Sequence, residues 1–461
     1  MHPVVFDNTL PLSEISAHVK MMLENQTVSK EASLSSYPSL SFKKITYKNS
    51  PYVIVQYKKT DLKTNKNIRP FRSLIYNPSG SLVAYGPGKS VPYDEFINDH
   101  FGEDTLSSFE NIAHTNDYTY TIEEFVEGTM INMFWEPVLE AWEIATKGIM
   151  SATGTFFKKQ GKMTTSFREM FWDACSYCSL TEDMLDKSLC YSFVFVHPEN
   201  RIVNTFSTPM VWLIDAYAIN NTEHTIHRVA NLNDLQDQFN ETTVEISIKY
   251  HNELFATPAQ LKDKVEKVNH GTQSMGIVVR CVETGERTKL RNPVFEHARQ
   301  LRGNNPKLEF QYLELRKKRR VQEYLRYFPN DADELEAYEE KIHEFTQNLY
   351  DNYVSCFITK LKFGPKTTLT NYPFEYRTHM YNLHQFYKND LKGVNLHDVD
   401  ESGDKLTKMC ITKHMVIQYV NSLPSNVLMF AMNYHHRKNS EERTAKENKK
   451  ADTSIDVAQT E

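Results

Sequence analysis

The sequence predicts an α+β fold followed by a separate helical half, and three observations carry this prediction. Short runs of β-branched and aromatic residues, which favour strands, recur between residues 41 and 304. A stretch among them, residues 164–178, has helical composition. From residue 305 onward the chain is charged, and its apolar residues follow helical spacing. Such a pattern is typical of a mixed sheet-and-helix core with helices added after it.

The predicted strands are short and are bounded by turn residues. They lie at residues 52–57, 74–76, 82–85, 131–135, 142–146, 191–196, 211–217 and 276–282. Between the second and third of these runs, the sequence NPSG at residues 77–80 has the composition of a hairpin turn. We therefore predict that residues 41–304 form the sheet-containing domain.

Apolar residues in the second half, such as Leu313, Ile342 and Leu349, are spaced as on one face of a helix. The sequence PNDAD at residues 329–333 predicts a break, after which a capped helix restarts. We predict a helical C-terminal domain over residues 305–435. The sequence also predicts a helical, loosely connected N-terminal segment over residues 1–40 and a disordered polar tail over residues 436–461.

Length, charge and cysteine content exclude some classes of protein. The 461 residues allow two or three domains, and a net charge of −6 argues against a surface that coats nucleic acid throughout, although local basic patches remain compatible with it. No apolar run reaches the roughly 18–20 residues of a membrane span. The chain lacks a secretion-signal pattern at its start, and its six cysteines predict reduced thiols. We expect an intracellular protein that is not secreted and has no membrane partner.

Seven short segments in a fixed order carry the candidate chemistry. They are RSLIYNPSGSLVAY at 72–85, KSVPYDEF at 89–96, EFVEGTMI at 124–131, WEIATKG at 142–148, YSFVFVHPENRIV at 191–203, SMGIVV at 274–279 and RTKLRNPVF at 287–295. Together they resemble the core of RNA ligases, in particular the bacteriophage type that repairs cut tRNA, and ligase-like proteins of large DNA viruses. The resemblance implies a nucleotidyltransferase fold, that is, an adenylyltransferase (ATP-grasp-like ligase) core. A looser resemblance continues through the helical half.

The resemblance also implies three catalytic positions, each of which is apolar here. In the family signature Lys-x-Asp-Gly-Ser the lysine attacks the α-phosphate of ATP, and Phe125 stands at that position without a lone pair to offer. Val194 replaces a glutamate that contacts the nucleotide sugar, and Met275 replaces one that helps to hold the metal. We therefore predict that no catalytic site is intact, that there is no metal site and that no cofactor is used.

Cations of the family pattern are nevertheless retained. The resemblance implies that they hold nucleotide phosphates, and the candidates are Arg72, Lys147, Lys289 and Arg291. A basic run in the helical half adds candidates for contact with nucleic acid, namely Arg316, Lys317, Lys318, Arg319 and Arg320. The alternative for this run is a solvated helix face that pairs with the acidic residues of 331–344.

Two functions follow from these observations. The first is a catalytically degenerate RNA ligase-like protein that binds RNA, DNA or a nucleotide, or that serves as a structural or interaction module with a protein partner on its helical domain. The resemblance implies a large DNA virus as its source, and so the host cytoplasm or the virion as its location. The alternative is an active ATP-dependent RNA ligase with a displaced nucleophile, Lys147 or Lys89, for which ATP and Mg²⁺ are the cofactors. A lysine amine within reach of Lys289 and Arg291 would favour this alternative.

Overall fold

The computed structural model describes residues 1–4, 6, 11–24, 37–102, 120–155, 165–229, 231–246, 249–250, 257–267, 271–359, 368–392, 410–435 and 437–438. The chain divides into two compact units, Met1–Asn304 and Asn305–Glu461. The first unit mixes strands and helices, and the described elements of the second are all helical. The predicted α+β fold with helices in its C-terminal part is therefore confirmed. The predicted tail, apart from residues 437 and 438, lies outside the described residues.

The largest sheet of the first unit has seven strands. These are β1 (His2–Pro3), β7 (Thr129–Glu136), β8 (Ala141–Ala145), β9 (Leu189–Val196), β10 (Met210–Asn220), β11 (Thr225–Arg228) and β12 (Glu245–Ile246). Their order is β1-β11-β10-β9-β7-β8, with β12 beside β10. Apolar side chains of this sheet, including Phe193 and Leu213, pack in one buried cluster with the helix Phe167–Tyr177. The central strand β9 is buried along its whole length, as the continuous apolar run at residues 191–196 predicts.

Two four-stranded sheets complete the unit. One is formed by β2 (Leu40–Tyr47), β3 (Ser50–Tyr57), β4 (Leu74–Tyr76) and β5 (Leu82–Tyr85), in the order β2-β3-β4-β5. The other is formed by β6 (Tyr120–Glu124), β13 (Lys249–Tyr250), β14 (Gly276–Cys281) and β15 (Arg287–Arg291), in the order β13-β6-β14-β15. Every strand that the sequence predicts is present in one of the three sheets.

Five helices belong to the first unit. They are α1 (Leu12–Glu24), α2 (Tyr93–Phe101), α3 (Phe167–Tyr177), α4 (Pro258–Lys267) and α5 (Pro293–Arg302). Helix α3 begins with a capping box, because the Ser166 hydroxyl accepts a bond from the Glu169 amide and the Glu169 carboxylate accepts one from the Ser166 amide. Helix α1, from the predicted N-terminal segment, packs Ile15 and Val19 into the core against β3 and β4.

The side chains of strand β15 alternate between the core and the opposite face of the sheet, because successive side chains of a strand point to opposite faces. Leu290 lies in the core beneath this sheet, and the Thr288 hydroxyl donates to the Val91 carbonyl on the same side. Arg287, Lys289 and Arg291 consequently share the other face. The register is antiparallel to β14, with Gly276 opposite Arg291 and Val278 opposite Lys289.

The second unit consists of α6 (Leu308–Lys317), α7 (Val321–Tyr327), α8 (Ala332–Tyr353), α9 (Phe374–Phe386), α10 (Lys413–Ser422) and α11 (Ser425–Met432), within the residues described. A 3₁₀ turn at Pro329–Asp331 forms the predicted break before α8. A buried polar network joins these helices: Asn433 Nδ2 and Lys341 Nζ donate to Glu309 at 2.7 and 2.9 Å. Among the described residues, no helix is both long and apolar enough to cross a membrane.

Candidate functional site

Four cations from separate segments of the first unit gather in one place. Arg72 precedes β4, Lys89 follows β5, Lys147 follows β8, and Lys289 lies on β15. The charges of Arg72 and Lys89 both lower the pKa of Lys147 and that of Lys289, so the four side chains are electrostatic neighbours. Arg291 is the next residue on the same face of β15. Its charge also lowers the pKa of Lys89 and that of Lys289. We call these five side chains the cation cluster.

Burial and mutual repulsion lower the lysine pKa values in this cluster. Burial is the larger cause for Lys147, whose pKa falls to about 8, and the nearby cations Arg72, Lys59 and Lys89 add to it. The pKa of Lys289 lies well below its ordinary value, first because of burial and then because of Arg287, Arg72, Arg291 and Lys89. The charged form of each of these two lysines is therefore less favoured than it is in an exposed lysine.

The cluster has little compensating negative charge. In the part of the chain that the structure describes, no carboxylate lies within salt-bridge distance of Arg72, Lys89, Lys147 or Lys289. Aromatic rings contact two of the amines instead: Lys147 Nζ lies 4.2 Å from the centre of the Tyr57 ring, and Lys289 Nζ lies 4.0 Å from that of Phe125. Arg291 at the edge is paired, with Glu296 at 3.3 Å.

Phe125 and Met275, two of the positions that the ligase resemblance implies to be catalytic, lie side by side. The amide of Phe125 donates to the carbonyl of Gly276 at 3.0 Å, where β6 ends beside the start of β14. The Met275 carbonyl accepts a bond from the amide of Asn292 at 3.1 Å, just after β15. The Phe125 ring therefore lies next to the Lys289 amine, beside the cation cluster.

Val194, the third replaced position, is buried on β9 beneath Gly128. The backbone of Gly128 has a φ of +145°, and a Cβ placed there would lie 2.7 Å from Val194 Cγ1 and 2.4 Å from the Phe195 carbonyl oxygen. Only glycine fits this close approach of two backbone segments. The glycine of the EGT sequence therefore has a packing reason that does not depend on catalysis.

Glu127, the acidic residue of the same sequence, is buried and serves as a hydrogen-bond acceptor. Its carboxylate accepts bonds from the Val203 amide at 2.7 Å and from Asn204 Nδ2 at 2.6 Å. Thr129 accepts a bond from Asn200 Nδ2 at 2.8 Å. Burial raises the pKa of Glu127 even though these bonds oppose the shift. The EGT and ENRIV sequences thus hold each other in place.

Two carboxylates of the ligase-like segments, Glu127 and Glu199, already have hydrogen-bond partners. Oxygen-rich sites for Mg²⁺ need several converging carboxylate or carbonyl oxygens, and the described residues contain no group of three potential His, Cys, Asp or Glu ligands. Of the nearby acids, Glu127 is engaged with residues 203 and 204, and Glu199 accepts a bond from Thr165.

The basic run at residues 316–320 lies at the junction of two helices and not along one helix. Helix α6 ends at Lys317, Arg319 has a φ of +56°, and α7 begins at Val321. Lys318 pairs with Glu314 at 3.6 Å and Arg320 with Glu323 at 2.6 Å. These two ion pairs are formed within α6 and α7 and their junction, and neither involves the acidic residues of 331–344.

Sequence reasoning missed a second group of charges next to the cluster. Asp215 on β10 is fully buried and contacts Arg228 Nε at 2.6 Å, Arg280 Nη1 at 3.4 Å and Arg287 Nη1 at 3.5 Å. Two signals were present: an aspartate inside the apolar run 211–217, and cations at every second residue of β15. The partner arginines come from three different strands, so no local pattern indicates that they meet.

Comparison with known proteins gives one match at the sequence level. The RNA ligase of Rhodothermus phage RM378 is 27% identical over 182 residues, which cover 35% of this chain and 40% of that ligase. The match therefore spans less than half of the relative's length. No protein-family model matches the chain.

Solved structures that resemble this chain include three ligases. An archaeal ATP-dependent RNA ligase has a TM-score of 0.36 and 10% identity, with 66% of this chain and 68% of that chain covered. A Naegleria gruberi RNA ligase has a TM-score of 0.32 and 12% identity, with coverages of 46% and 57%. A putative ATP-dependent DNA ligase from Aquifex aeolicus has a TM-score of 0.37 and 10% identity, with coverages of 78% and 79%. These structural scores are low, and the sequence match confirms the predicted resemblance: over part of its length this chain is similar to RNA ligases.

Proposed function

We propose that the first unit binds a phosphate-bearing ligand, RNA, DNA or a nucleotide, at the cation cluster, and that it does so without a nucleophile at position 125. One observation carries this proposal: Arg72, Lys89, Lys147 and Lys289 converge, and none has a carboxylate partner among the described residues. Cations held together in this way attract an anion, because each one is repelled by its neighbours.

The energetics of the cluster support a phosphate ligand in particular. Burial and like charges push the pKa of Lys147 and Lys289 down, which means that the folded chain holds these amines at a cost. A bound phosphate would return each amine to its charged state and form charge-assisted hydrogen bonds with it. The guanidinium of Arg72, whose Nη1 lies 3.5 Å from the Pro87 carbonyl, adds a planar donor suited to phosphate oxygens.

The replaced positions support a binding role over ligation. A phenyl ring at 125 cannot form the lysyl phosphoramidate of the ligase reaction, and Val194 and Met275 supply no carboxylates for a metal ion. The acids that remain nearby are engaged in holding loops, as Glu127 is. The chain thus keeps the phosphate-facing cations of the ligase pattern and lacks the groups that perform its first chemical step.

A second candidate function is ligation through a displaced lysine, and one observation favours it. The pKa of Lys147 is about 8, so a substantial fraction of its amine is unprotonated at slightly alkaline pH. Lys89 is an electrostatic neighbour of Lys289 and Arg291. Either amine would attack the α-phosphorus of ATP, forming an N–P bond as pyrophosphate leaves and the amine proton passes to solvent. ATP and Mg²⁺ are cofactors only in this second function.

One pair of assays separates the two functions. The full chain is incubated with α-labelled ATP and Mg²⁺ or Mn²⁺, denatured and examined for covalent label, and binding of a 5′-phosphorylated RNA oligonucleotide is measured in parallel. We expect RNA binding, weakened in Lys147→Ala and unchanged in Lys48→Ala, whose lysine pairs with Glu143 outside the cluster, and no covalent label. Label that disappears in Lys147→Ala or Lys89→Ala would establish the second function. Equal RNA affinity for all variants would refute the first.

A restored variant tests the assignment of the replaced positions. Phe125→Lys combined with Val194→Glu and Met275→Glu supplies the nucleophile and both carboxylates at the positions that the ligase resemblance implies. Appearance of covalent label in this variant, with none in the natural chain, is the expected result. A matched variant that carries the two glutamates but retains Phe125 should stay unlabelled, and label in that variant would show that another lysine reacts.

We propose in addition that the helical unit contributes to partner binding. The basic run at its α6–α7 junction has three residues, Lys317, Lys318 and Arg319, exposed to solvent, and exposed cations favour contact with a nucleic-acid backbone. A protein partner on this unit, and a role in a large DNA virus, are the further proposals that the ligase resemblance suggests. Co-purification from infected cells with and without nuclease treatment would distinguish a nucleic-acid partner from a protein partner.

A further inference from the structure

A cavity of about 430 Å³ lies in the first unit at the Arg287 end of β15. Its lining includes Arg69, Tyr85, Lys89, Tyr217, Arg228 and Arg287. This volume falls within the roughly 300–1,000 Å³ of sites that hold small molecules. Lys89 also belongs to the cation cluster, but the remaining lining residues named here do not, so the cavity is a separate space beside it.

The arginines of this cavity have fewer acidic partners than their charge requires. Arg228, Arg280 and Arg287 share the single carboxylate of Asp215, and only Arg280 has a second carboxylate, Glu123, at 3.1 Å. Three buried guanidinium groups therefore face two buried carboxylates among the residues that the structure describes. The closest acidic contact of Arg287 is 3.5 Å long, and its Nη2 donates to the Gly88 carbonyl at 3.3 Å.

One nitrogen of a guanidinium that belongs to the cavity lining has no acceptor among the described residues. Arg228 is 5% exposed, and its Nη1 is buried without a hydrogen-bond partner, although its Nε is bound to Asp215 at 2.6 Å. Buried polar groups in folded proteins are nearly always paired, because an unpaired one costs free energy. The guanidinium of Arg228 is therefore only partly satisfied by the protein groups that the structure describes.

We propose that this cavity is a second anion site, which takes a phosphate-bearing group up to the size of a mononucleotide, free or at the end of a nucleic acid. Guanidinium groups match phosphate oxygens in charge and in planar donor geometry. At the rim, Arg69 and Lys66 are both paired with Glu95, and Asp99 and Glu286 also line the cavity, so the attraction is concentrated at its buried arginine end. The site does not depend on the proposed function of the cation cluster.

The depressed pKa of Arg287 is consistent with this proposal. Burial, followed by the neighbouring charge of Arg280, lowers it to about 10, and Asp215 only partly offsets these effects. A phosphate next to Arg287 would stabilise its charged form.

The test uses adenosine monophosphate and inorganic pyrophosphate as probes, titrated by calorimetry into the full chain. A background variant, Arg72→Ala with Lys147→Ala, first weakens the cation cluster. Into this background are placed Arg228→Lys, which keeps the charge beside Asp215 and removes Nη1, and Arg69→Gln at the rim. The matched control is Arg299→Gln on α5, whose arginine pairs with Glu296 and is not part of the cavity lining.

We expect the background variant to retain one binding event for adenosine monophosphate. Arg228→Lys should weaken it about tenfold, as the loss of a hydrogen bond to a charged group predicts, and Arg299→Gln should leave it unchanged. If near-ultraviolet circular dichroism shows that Arg228→Lys does not fold, the test rests on Arg69→Gln, which should also weaken the binding of adenosine monophosphate. Absence of residual binding, or equal residual binding in all three variants, overturns the proposal. Equal binding by the background variant and the natural chain would instead count against the cation cluster.

Two further arms identify the source of the phosphate. A 5′-phosphorylated RNA oligonucleotide and its 5′-hydroxyl counterpart compete against adenosine monophosphate in the same background. Competition by the phosphorylated oligonucleotide alone assigns the cavity to a nucleic-acid end. Failure of both oligonucleotides to compete, with adenosine monophosphate and pyrophosphate still bound, assigns it to a free small molecule.

Discussion

Strand β15 carries two cations, Arg287 and Lys289, that differ in the charged groups around them. Arg287 lies among buried carboxylates and other arginines, in contact with Asp215. Lys289 lies among cations, with the Phe125 ring against its amine and no carboxylate in salt-bridge distance within the described residues. Both side chains point to the same face of the sheet, so their difference arises from what the facing strands and loops supply.

This comparison distinguishes cations that have buried carboxylate partners from cations that have none among the described residues. Around Arg287, Asp215 and Glu123 connect β6, β10, β11 and β14, and they compensate most of the positive charge. Around Lys289, no described carboxylate compensates it, and the pKa of the amine falls. A cation cluster that a protein leaves unpaired at a cost to stability is a candidate for function.

The largest expected effect on stability is at Asp215, whose carboxylate contacts three buried arginines. Asp215→Asn leaves three buried arginines with one carboxylate, and we expect the free energy of unfolding to fall by about 3–5 kcal/mol, the usual cost of breaking a buried ion pair. Urea denaturation followed by circular dichroism measures it. Glu296→Gln, which breaks the partly exposed pairs of Glu296 with Arg299 and Arg291, is the control and should cost less than about 1 kcal/mol. Equal losses for both variants would contradict the distinction.

Asp215 should also make the free energy of unfolding depend on pH. Its arginine neighbours lower the pKa of Asp215 to about 2 against the opposing effect of burial, below its ordinary value of 3.8. A lowered carboxyl pKa in the folded state means that the stability from this group is fully present above pH 3.8 and is lost as the pH falls towards 2. Acid denaturation of the natural chain should show this loss, and Asp215→Asn should lack its contribution.

A substitution at Lys289, in the cation cluster, should change the free energy of unfolding in the opposite direction. Lys289→Met removes a buried, repelled amine and retains most of its volume, so we expect the free energy of unfolding to rise by about 1 kcal/mol. The affinity for 5′-phosphorylated RNA should fall about tenfold at the same time, because a charge-assisted contact is lost. Denaturation and RNA titration of one protein sample measure both quantities. A loss of stability without a loss of affinity would assign Lys289 to the fold.

A smaller effect concerns the pH dependence of anion binding at the cation cluster. Because the pKa of Lys147 is about 8, anion binding at the cation cluster should weaken severalfold between pH 7 and pH 9 as this amine loses its proton. Lys147→Arg should bind with a flatter profile, since a guanidinium stays charged over this range. Affinities for pyrophosphate at four pH values measure the difference. Parallel profiles for the two proteins would exclude Lys147 from the site.

The smallest effects are expected at the exposed cations of the helical unit. Lys318→Ala and Arg320→Ala remove partners of Glu314 and Glu323 on the surface, and each should leave the urea midpoint of unfolding almost unchanged. If the run contacts RNA, the triple variant Arg316→Ala, Lys317→Ala, Arg319→Ala should reduce the salt dependence of binding by about one unit of slope per lost phosphate contact. An unchanged slope would remove the run from the interface.

The parts of the fold that local sequence determines were predictable. The strands at residues 191–196 and 276–282 are buried runs of apolar and β-branched residues, and the break at residues 329–333 follows from its proline and polar residues. The junction inside the basic run was not predicted, because its turn depends on a positive φ at Arg319 and arginine is not a residue that marks such turns.

The site was predictable only where a motif order identified it. The ligase resemblance singled out Arg72, Lys147, Lys289 and Arg291, which the structure brings together with Lys89, and their role as phosphate ligands stays a prediction. Nothing local marks the meeting of Asp215 with Arg228 and Arg280. Long-range partners of this kind depend on which strands become neighbours, and composition and periodicity do not contain that information.

The pairing of β14 with β15 has a consequence for mutational screens. Gly276 has a φ of +132°, and a Cβ on it would lie 2.1 Å from the Leu290 carbonyl oxygen, so another residue there would disturb the local pairing. A slip of one residue would turn Arg287 and Lys289 into the core and bring Thr288 and Leu290 out. A screen that scores loss of ligand binding would therefore single out Gly276 as strongly as a contacting lysine, although its defect would lie in the alignment of the strands.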